Sequence, residues 1–186
     1  DADKIRFVPN TDFHGTAGTL TYRAWDQTTT GSGSAGNKVS TTTNGGTSEF
    51  SSFEETASVT IASVNDEPSA TFLSSNAGLT VNEDAGGQSI SGFATPRANA
   101  TNSSDSLEAS QTFTYTVERR SGEAISGGSS LFTTAPAIAP NGTLTYTPKA
   151  NANGATVFDV IVTDNGGTAN SGDNSQRFNS AFTITV

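Results

Sequence analysis

Apolar and polar residues alternate with a period of two along much of the chain. Phe113, Tyr115 and Val117 fall on one side of an extended template, as do Leu144 and Tyr146, then Phe158, Val160 and Val162, then Phe182, Ile184 and Val186. Thr or Asp sits between them, the pattern of antiparallel strands with one face on a core and one in water. The same period appears earlier in Leu20, Tyr22 and Ala24, with Trp25 on the opposite face, and in "SVTIASV" from Ser58 to Val64. Two residues further along the inward register lies Asp26 after Ala24, and Asp164 after Val162. A carboxylate at core register is costly. Both positions are therefore expected past the end of the core, at the pole of a sandwich where a strand leaves its sheet.

These segments repeat. "IRFVPNTDFHGTAGTLTYRAWDQ" (Ile5 to Gln27) aligns with "LTYTPKANANGATVFDVIVTDN" (Leu144 to Asn165), pairing Pro9 with Pro148 and Gly15 with Gly154 at an offset of 139, and Asp26 with Asp164 at 138. Ile61 then aligns with Ile184 at 123, which implies about 15 extra residues in the first copy. The fold class expected is all-β: tandem antiparallel sandwiches, the first incomplete. Residues 1–64 read as the C-terminal half of a repeat with an inserted loop at 27–56, residues 65–68 as a linker, and residues 69–186 as a complete repeat of six or seven strands. Asn44-Gly45-Gly46 in the insert has the chemistry of a hairpin turn.

Composition narrows the function classes. The 186 residues are rich in Thr, Ser, Asn and Gly, with 32% hydrophobic and 15% charged side chains, which favours strands and turns over helices. Nine basic against eighteen acidic residues give a net charge of −9. Phosphates would be repelled, so nucleic acid and anionic membranes are disfavoured while cations are attracted. No window is apolar for the roughly 20 residues of a membrane span. The chain has no Cys, which removes disulfides and thiolate chemistry, and no Met. Lacking even an initiator Met, it reads as processed, as excised from a longer polypeptide, or as sequenced from mature material.

An enzyme is not expected. His14 is the only histidine, and "DFHG" places it in a tight turn without a partner set. Glu54-Glu55 and Glu83-Asp84 are adjacent acids that point to opposite faces of a strand, the wrong geometry for a general acid and base. "TGSGSAG" lacks the helix that a phosphate loop needs. The Asn99, Asn102 and Asn141 sequons are short patterns that arise by chance in such a chain.

The boundary between the repeats carries the densest chemistry. "SVNDEPSATF" (Ser63 to Phe72) follows an alternating strand, and its Pro68 rules out a simply continued central strand. "VNDEP" between the repeats, "VNED" (Val81 to Asp84) early in the second, and an Asp closing a late strand together resemble the cadherin-like and related immunoglobulin-like tandem domains of large bacterial surface and secreted proteins. That resemblance implies calcium at the joint. Asn65 and Asp66 match the family's linker ligands, Asp26 and Asp164 its late-strand Asp, and Glu83 its first-strand Glu. Asp12 lies near an acidic pair of the family, where the second repeat has Asn151, and Asp105 matches an early-loop Asp. The linker departs from the family pattern in being shorter and less acidic. Calcium takes six to eight hard oxygens, which carboxylates, amides and turn carbonyls supply.

The function expected is a structural repeat of an extracellular adhesin or surface fibre, stiffened by calcium at its joints, with neighbouring repeats of the same or another chain as partners. Two alternatives are a filament subunit built by strand complementation of the half-domain, giving a homo-oligomer, and a carbohydrate-binding module using Trp25 on a cell-surface polysaccharide. Ile5, Phe7, Leu20, Tyr22, Val59 and Ile61 form one inward face in the half-domain. Upstream residues, a neighbouring chain or the insert itself are expected to cover that face, and for the isolated chain a neighbouring one.

Overall fold

The computed structural model describes residues 5–26, 39–73, 79–98, 106–121 and 130–186. The chain divides into two units, one comprising Asp1–Asp12 with Val64–Val186 and the other Phe13–Ser63. Among the described residues twelve strands make up the regular structure, all in antiparallel sheets, with one α-helical turn, α1 (Ser106–Ala109).

In the larger unit, β8 (Phe113–Arg119), β11 (Ala155–Asp164) and β12 (Ser175–Thr185) form one sheet with β11 in the middle. Strands β6 (Gln88–Ile90), β10 (Leu144–Pro148) and β9 (Phe132–Ile138) form a second, with β10 in the middle, and β5 (Ser69–Phe72) pairs with β7 (Ala94–Arg97). The alternating residues meet between the sheets. Leu144, Tyr146, Phe158, Val160, Val162, Phe182 and Ile184 are all buried in one cluster, with Phe113, Tyr115, Val117 and Val186 packed against it. Rings supply much of the fill: Phe182 lies edge-on to Phe93 at 4.9 Å and stacks on Phe158 at 5.1 Å. Each such pair adds about 0.5–1.5 kcal/mol beyond the area it buries.

Two details depart from plain alternation. Asp159 is buried in mid-strand, where its carboxylate accepts from the Ser180 N–H at 2.9 Å and from Arg177 at 3.3 Å. The β11–β12 register shifts there, between Phe158 and Val160, and Ser180 takes a positive φ of 53°. A bulge thus turns a backbone donor onto a carboxylate that would otherwise be unanswered. Gly142, at φ 79°, is required because a Cβ would overlap the Ala94 carbonyl.

The smaller unit has four short strands among its described residues. β1 (Gly15–Thr16) pairs with β4 (Thr60–Ile61), and β2 (Leu20–Tyr22) with β3 (Glu55–Ala57). Its registers match those of β11 and β12. Leu20 opposite Ala57 corresponds to Phe158 opposite Phe182, and Trp25 opposite Phe50 to Thr163 opposite Ser175, at offsets of 138 and 125. The return strand therefore aligns at 125, where sequence alone suggests 123, and the added length is 13 residues. It falls between Asp26 and Glu49. Residues 49–57 run back as hairpin, while 27–38 lie outside the described residues.

The side chains expected to face inward in this half-repeat are open to water. Leu20 is 43% exposed, Tyr22 50% and Val59 44%, and Ile5 and Phe7, which lie outside any strand, are exposed as well. Only Ala17 and Phe50 are buried among the described residues of the smaller unit.

The two units should consequently respond differently to truncation. Leu144→Ala should cost about 2–5 kcal/mol in urea denaturation, the range for a fully buried leucine. Leu20→Ala should stay within about 0.5 kcal/mol in the isolated chain.

Candidate functional site

The linker residues are strapped to the larger unit. Asn65 inserts between the end of β11 and the loop that returns to β12. Its side-chain N–H group donates to Asp164 Oδ1 at 3.1 Å and to the Asp173 carbonyl at 2.6 Å. Its own carbonyl accepts from the Asp173 N–H at 3.0 Å, and its Oδ1 accepts from Gln111. Every polar group of the asparagine side chain is thereby used, across sequence separations of 46 to 108 residues.

The socket is shaped by glycine. A Cβ on Gly166 would overlap Asn65 Oδ1, and one on Gly172 would come within 2.9 Å of the Asn65 nitrogen. Gly166 also donates its N–H to Asp164 Oδ1 at 2.9 Å, so one carboxylate oxygen holds both the loop and the plug. The next two linker residues dock beside it. The Asp66 N–H donates to Glu108 Oε1 at 3.3 Å, and Glu67 Oε1 accepts from Gln176 at 3.3 Å. Pro68 is fully buried and fixes the turn into β5.

Charge accumulates here. Asp164 and Glu108 are 6% and 3% exposed, with Asp66 and Asp173 adjacent. Glu108 Oε2 accepts from Gln111 Nε2 at 2.9 Å. Two acceptors of the socket, Asp164 Oδ2 and Gln111 Oε1, are buried with no hydrogen-bond partner among the described residues. An unanswered buried acceptor costs about 1–3 kcal/mol, so these two mark a spot where a donor or a cation would be held. Among the described residues, no three acidic or imidazole side chains already converge as an ion cage.

Of the residues singled out from sequence, the structure links Asn65, Asp66 and Asp164. Glu83 sits exposed in the Asn82–Ala85 turn, outside the linked set, and Asp105 lies outside the described residues. Asp26 closes its strand as Asp164 does, in the smaller unit: its N–H donates to the Glu49 carbonyl at 3.0 Å, as that of Asp164 does to Asn174 at 3.0 Å. Asp12 takes a left-handed φ of 58°, as Asn151 does at 57°, so the two repeats turn alike there. Glu108, Gln111 and Asp173 were not foreseen. The one sequence cue to the loop is the tetrapeptide Asn-Gly-Gly-Thr, which occurs at 44–47 and again at 165–168.

Residues 124–173 match the family model of the bacterial Ig domain. The larger unit holds an immunoglobulin-like domain of bacterial surface proteins. No curated protein and no solved structure matches the chain. The match ends in the socket loop, so Asp164, Gly166 and Asp173 belong to the Ig-like stretch while Asn65, Asp66, Glu108 and Gln111 reach it from outside. Domains of this family are structural modules. No helix among the described residues is long and apolar enough to cross a membrane.

Asn65→Ala and Gly166→Ala should release the linker by opposite routes, one by removing the plug and the other by filling its socket. Each should lower stability by about 1–3 kcal/mol and open residues 64–67 to protease. Continued protection in both variants would mean that Pro68 alone holds the linker.

Proposed function

We propose that the chain is a structural repeat module of a bacterial surface or secreted fibre, in which a calcium ion at the linker socket stiffens the path from one repeat to the next. The observation that carries this reading is the pair of buried, unpartnered acceptors, Asp164 Oδ2 and Gln111 Oε1, beside Glu108 and Asp66. All are hard oxygens, the ligand type calcium takes, and no soft donor competes in a chain without Cys or Met. Asp164 and Glu108 would supply charge, and Gln111 and Asp66 further oxygens. Asn65 would position rather than ligate, since both ends of its amide are engaged by protein. Asp26 is the matching strand-end residue of the first repeat, and Asp12, Glu83 and Asp105 have no part in this set.

Held this way, the linker gains rigidity from charge neutralisation. Asp164, Glu108 and Asp66 repel one another without a cation, and that repulsion acts on the segment that leads into the Ig-like domain. An extracellular location fits the reading, because millimolar calcium is met outside cells and weak modular sites are tuned to it.

Strand complementation is a second reading, favoured by one observation: Leu20, Tyr22, Phe53 and Val59 of the smaller unit are each more than 40% exposed. Covering such side chains contributes about 1.5–3 kcal/mol each, which would favour association in an isolated chain. Light scattering decides it, since a strict monomer at high concentration contradicts it.

Calcium should raise the melting temperature of the Ig-like domain, by an amount equivalent to about 2.7 kcal/mol at a hundredfold excess over Kd. Asp164→Asn and Glu108→Gln should each remove most of the rise. If chelator leaves the melting temperature of the wild-type chain unchanged, the socket is a purely protein-built strap.

A further inference from the structure

The two hairpin ends are built alike, but only one has a plug. In the Ig-like domain the last rungs are Val162 opposite Gln176 and Thr163 opposite Ser175, followed by the Asp164 N–H to the Asn174 carbonyl. In the smaller unit the same rungs are the Ser51 N–H to the Ala24 carbonyl at 3.0 Å, Trp25 opposite Phe50, and the Asp26 N–H to the Glu49 carbonyl. Beyond the first set sits Asn65. At the second end there is a cavity of about 250 Å³, lined by Ala24, Trp25, Asp26, Gly45, Glu49 and Phe50 among others.

Its size and chemistry are selective. Pockets for drug-sized ligands start at about 300 Å³, so this one suits one or two residues of peptide better than an extended ligand. Asp26 and Glu49 supply acceptors, and the Trp25 indole, tethered through its N–H to Glu49 at 3.2 Å, forms a flat wall. A side-chain amide that donates to a strand-end carboxylate, as Asn65 does to Asp164, meets the same carboxylate here in Asp26. One rung differs. The Ser48 N–H is already bonded to the Gly45 carbonyl at 2.9 Å, whereas the Asp173 N–H takes the Asn65 carbonyl. Recognition in the smaller unit would therefore rest on the asparagine side chain more than on its backbone.

We infer that this cavity is a second linker socket, which receives an extended Asn-bearing segment of the Val64–Pro68 type from another repeat. The inference goes beyond the calcium reading and does not depend on it, because the internal repeat and the cavity carry it without an ion.

Trp25 is the only tryptophan, so its emission reports on this cavity alone. The intact chain is titrated with the synthetic peptide Ser-Val-Asn-Asp-Glu-Pro-Ser, once with calcium and once with chelator. A saturable change in Trp25 emission is expected, with affinity weakened about tenfold or more when Ala replaces the peptide's Asn. Asp26→Asn should abolish the change while far-UV circular dichroism stays the same. Asp164→Asn should leave it intact. The inference is overturned if the peptide gives no saturable change in either buffer, if the Ala peptide binds as well, or if a hexose shifts the emission where the peptide does not. Binding in chelator together with an unchanged melting temperature in calcium would sustain the socket while removing the ion.

Discussion

A buried carboxylate at the end of a core strand is the constraint around which the larger unit's pole is organised. Asp164 continues the inward register of Phe158, Val160 and Val162, so it is drawn out of water with the strand that carries it. Donors must then come to it. Gly166 bends the loop back to supply one, and Asn65 arrives from 99 residues away to supply another. The linker is fastened as a consequence, since the asparagine that answers Asp164 is the one that joins the repeats. Asp159 meets the same demand by other means, through a bulge and an arginine that also bonds Glu118 at 2.6 Å. The difference is that Asp159 is answered within its own sheet, whereas Asp164 is answered by the linker.

Much of the fold was legible because its signal is local. The period of two assigned the core faces of β8, β10, β11 and β12, and the members of those runs are the residues found buried or packed on the core. Strands β5 and β7 gave no such signal: "SATF" and "ATPR" are short and mixed, and Pro96 stands within an edge ribbon where its missing N–H is tolerated. Asp164 was legible as a strand-end residue, but its burial was not, because the groups that make burial tolerable lie in a loop of irregular backbone. Glu108 was not legible at all. It sits on a single helical turn 42 residues from its partner Asp66, and no periodicity links the two.

The first repeat shows what pattern alone cannot decide. Leu20 and Tyr22 alternate as well as Phe158 and Val160 do, and their hairpin has the same register, yet they remain exposed. Alternation declares which face is apolar. Burial needs a second layer, and in the larger unit that layer comes from β6, β9 and β10, whose counterparts are absent from the described part of the smaller unit.

The placement of Asn65 also has a mechanical side. Asn65 is held at the Asp164 end of β11, whereas Val186 exchanges two backbone hydrogen bonds with Gly154 at the other end, ten residues of strand or about 30 Å away. Tension applied between these two points would run the length of the sandwich. It would load the parallel contact of Thr80 with Thr185, and the Val81 N–H bond to the Thr185 carbonyl, in shear rather than by peeling them one rung at a time. Bonds loaded in shear share the force and yield together, so an immunoglobulin-like sandwich strapped at one pole and tied off at the other is suited to transmit a pull along its axis.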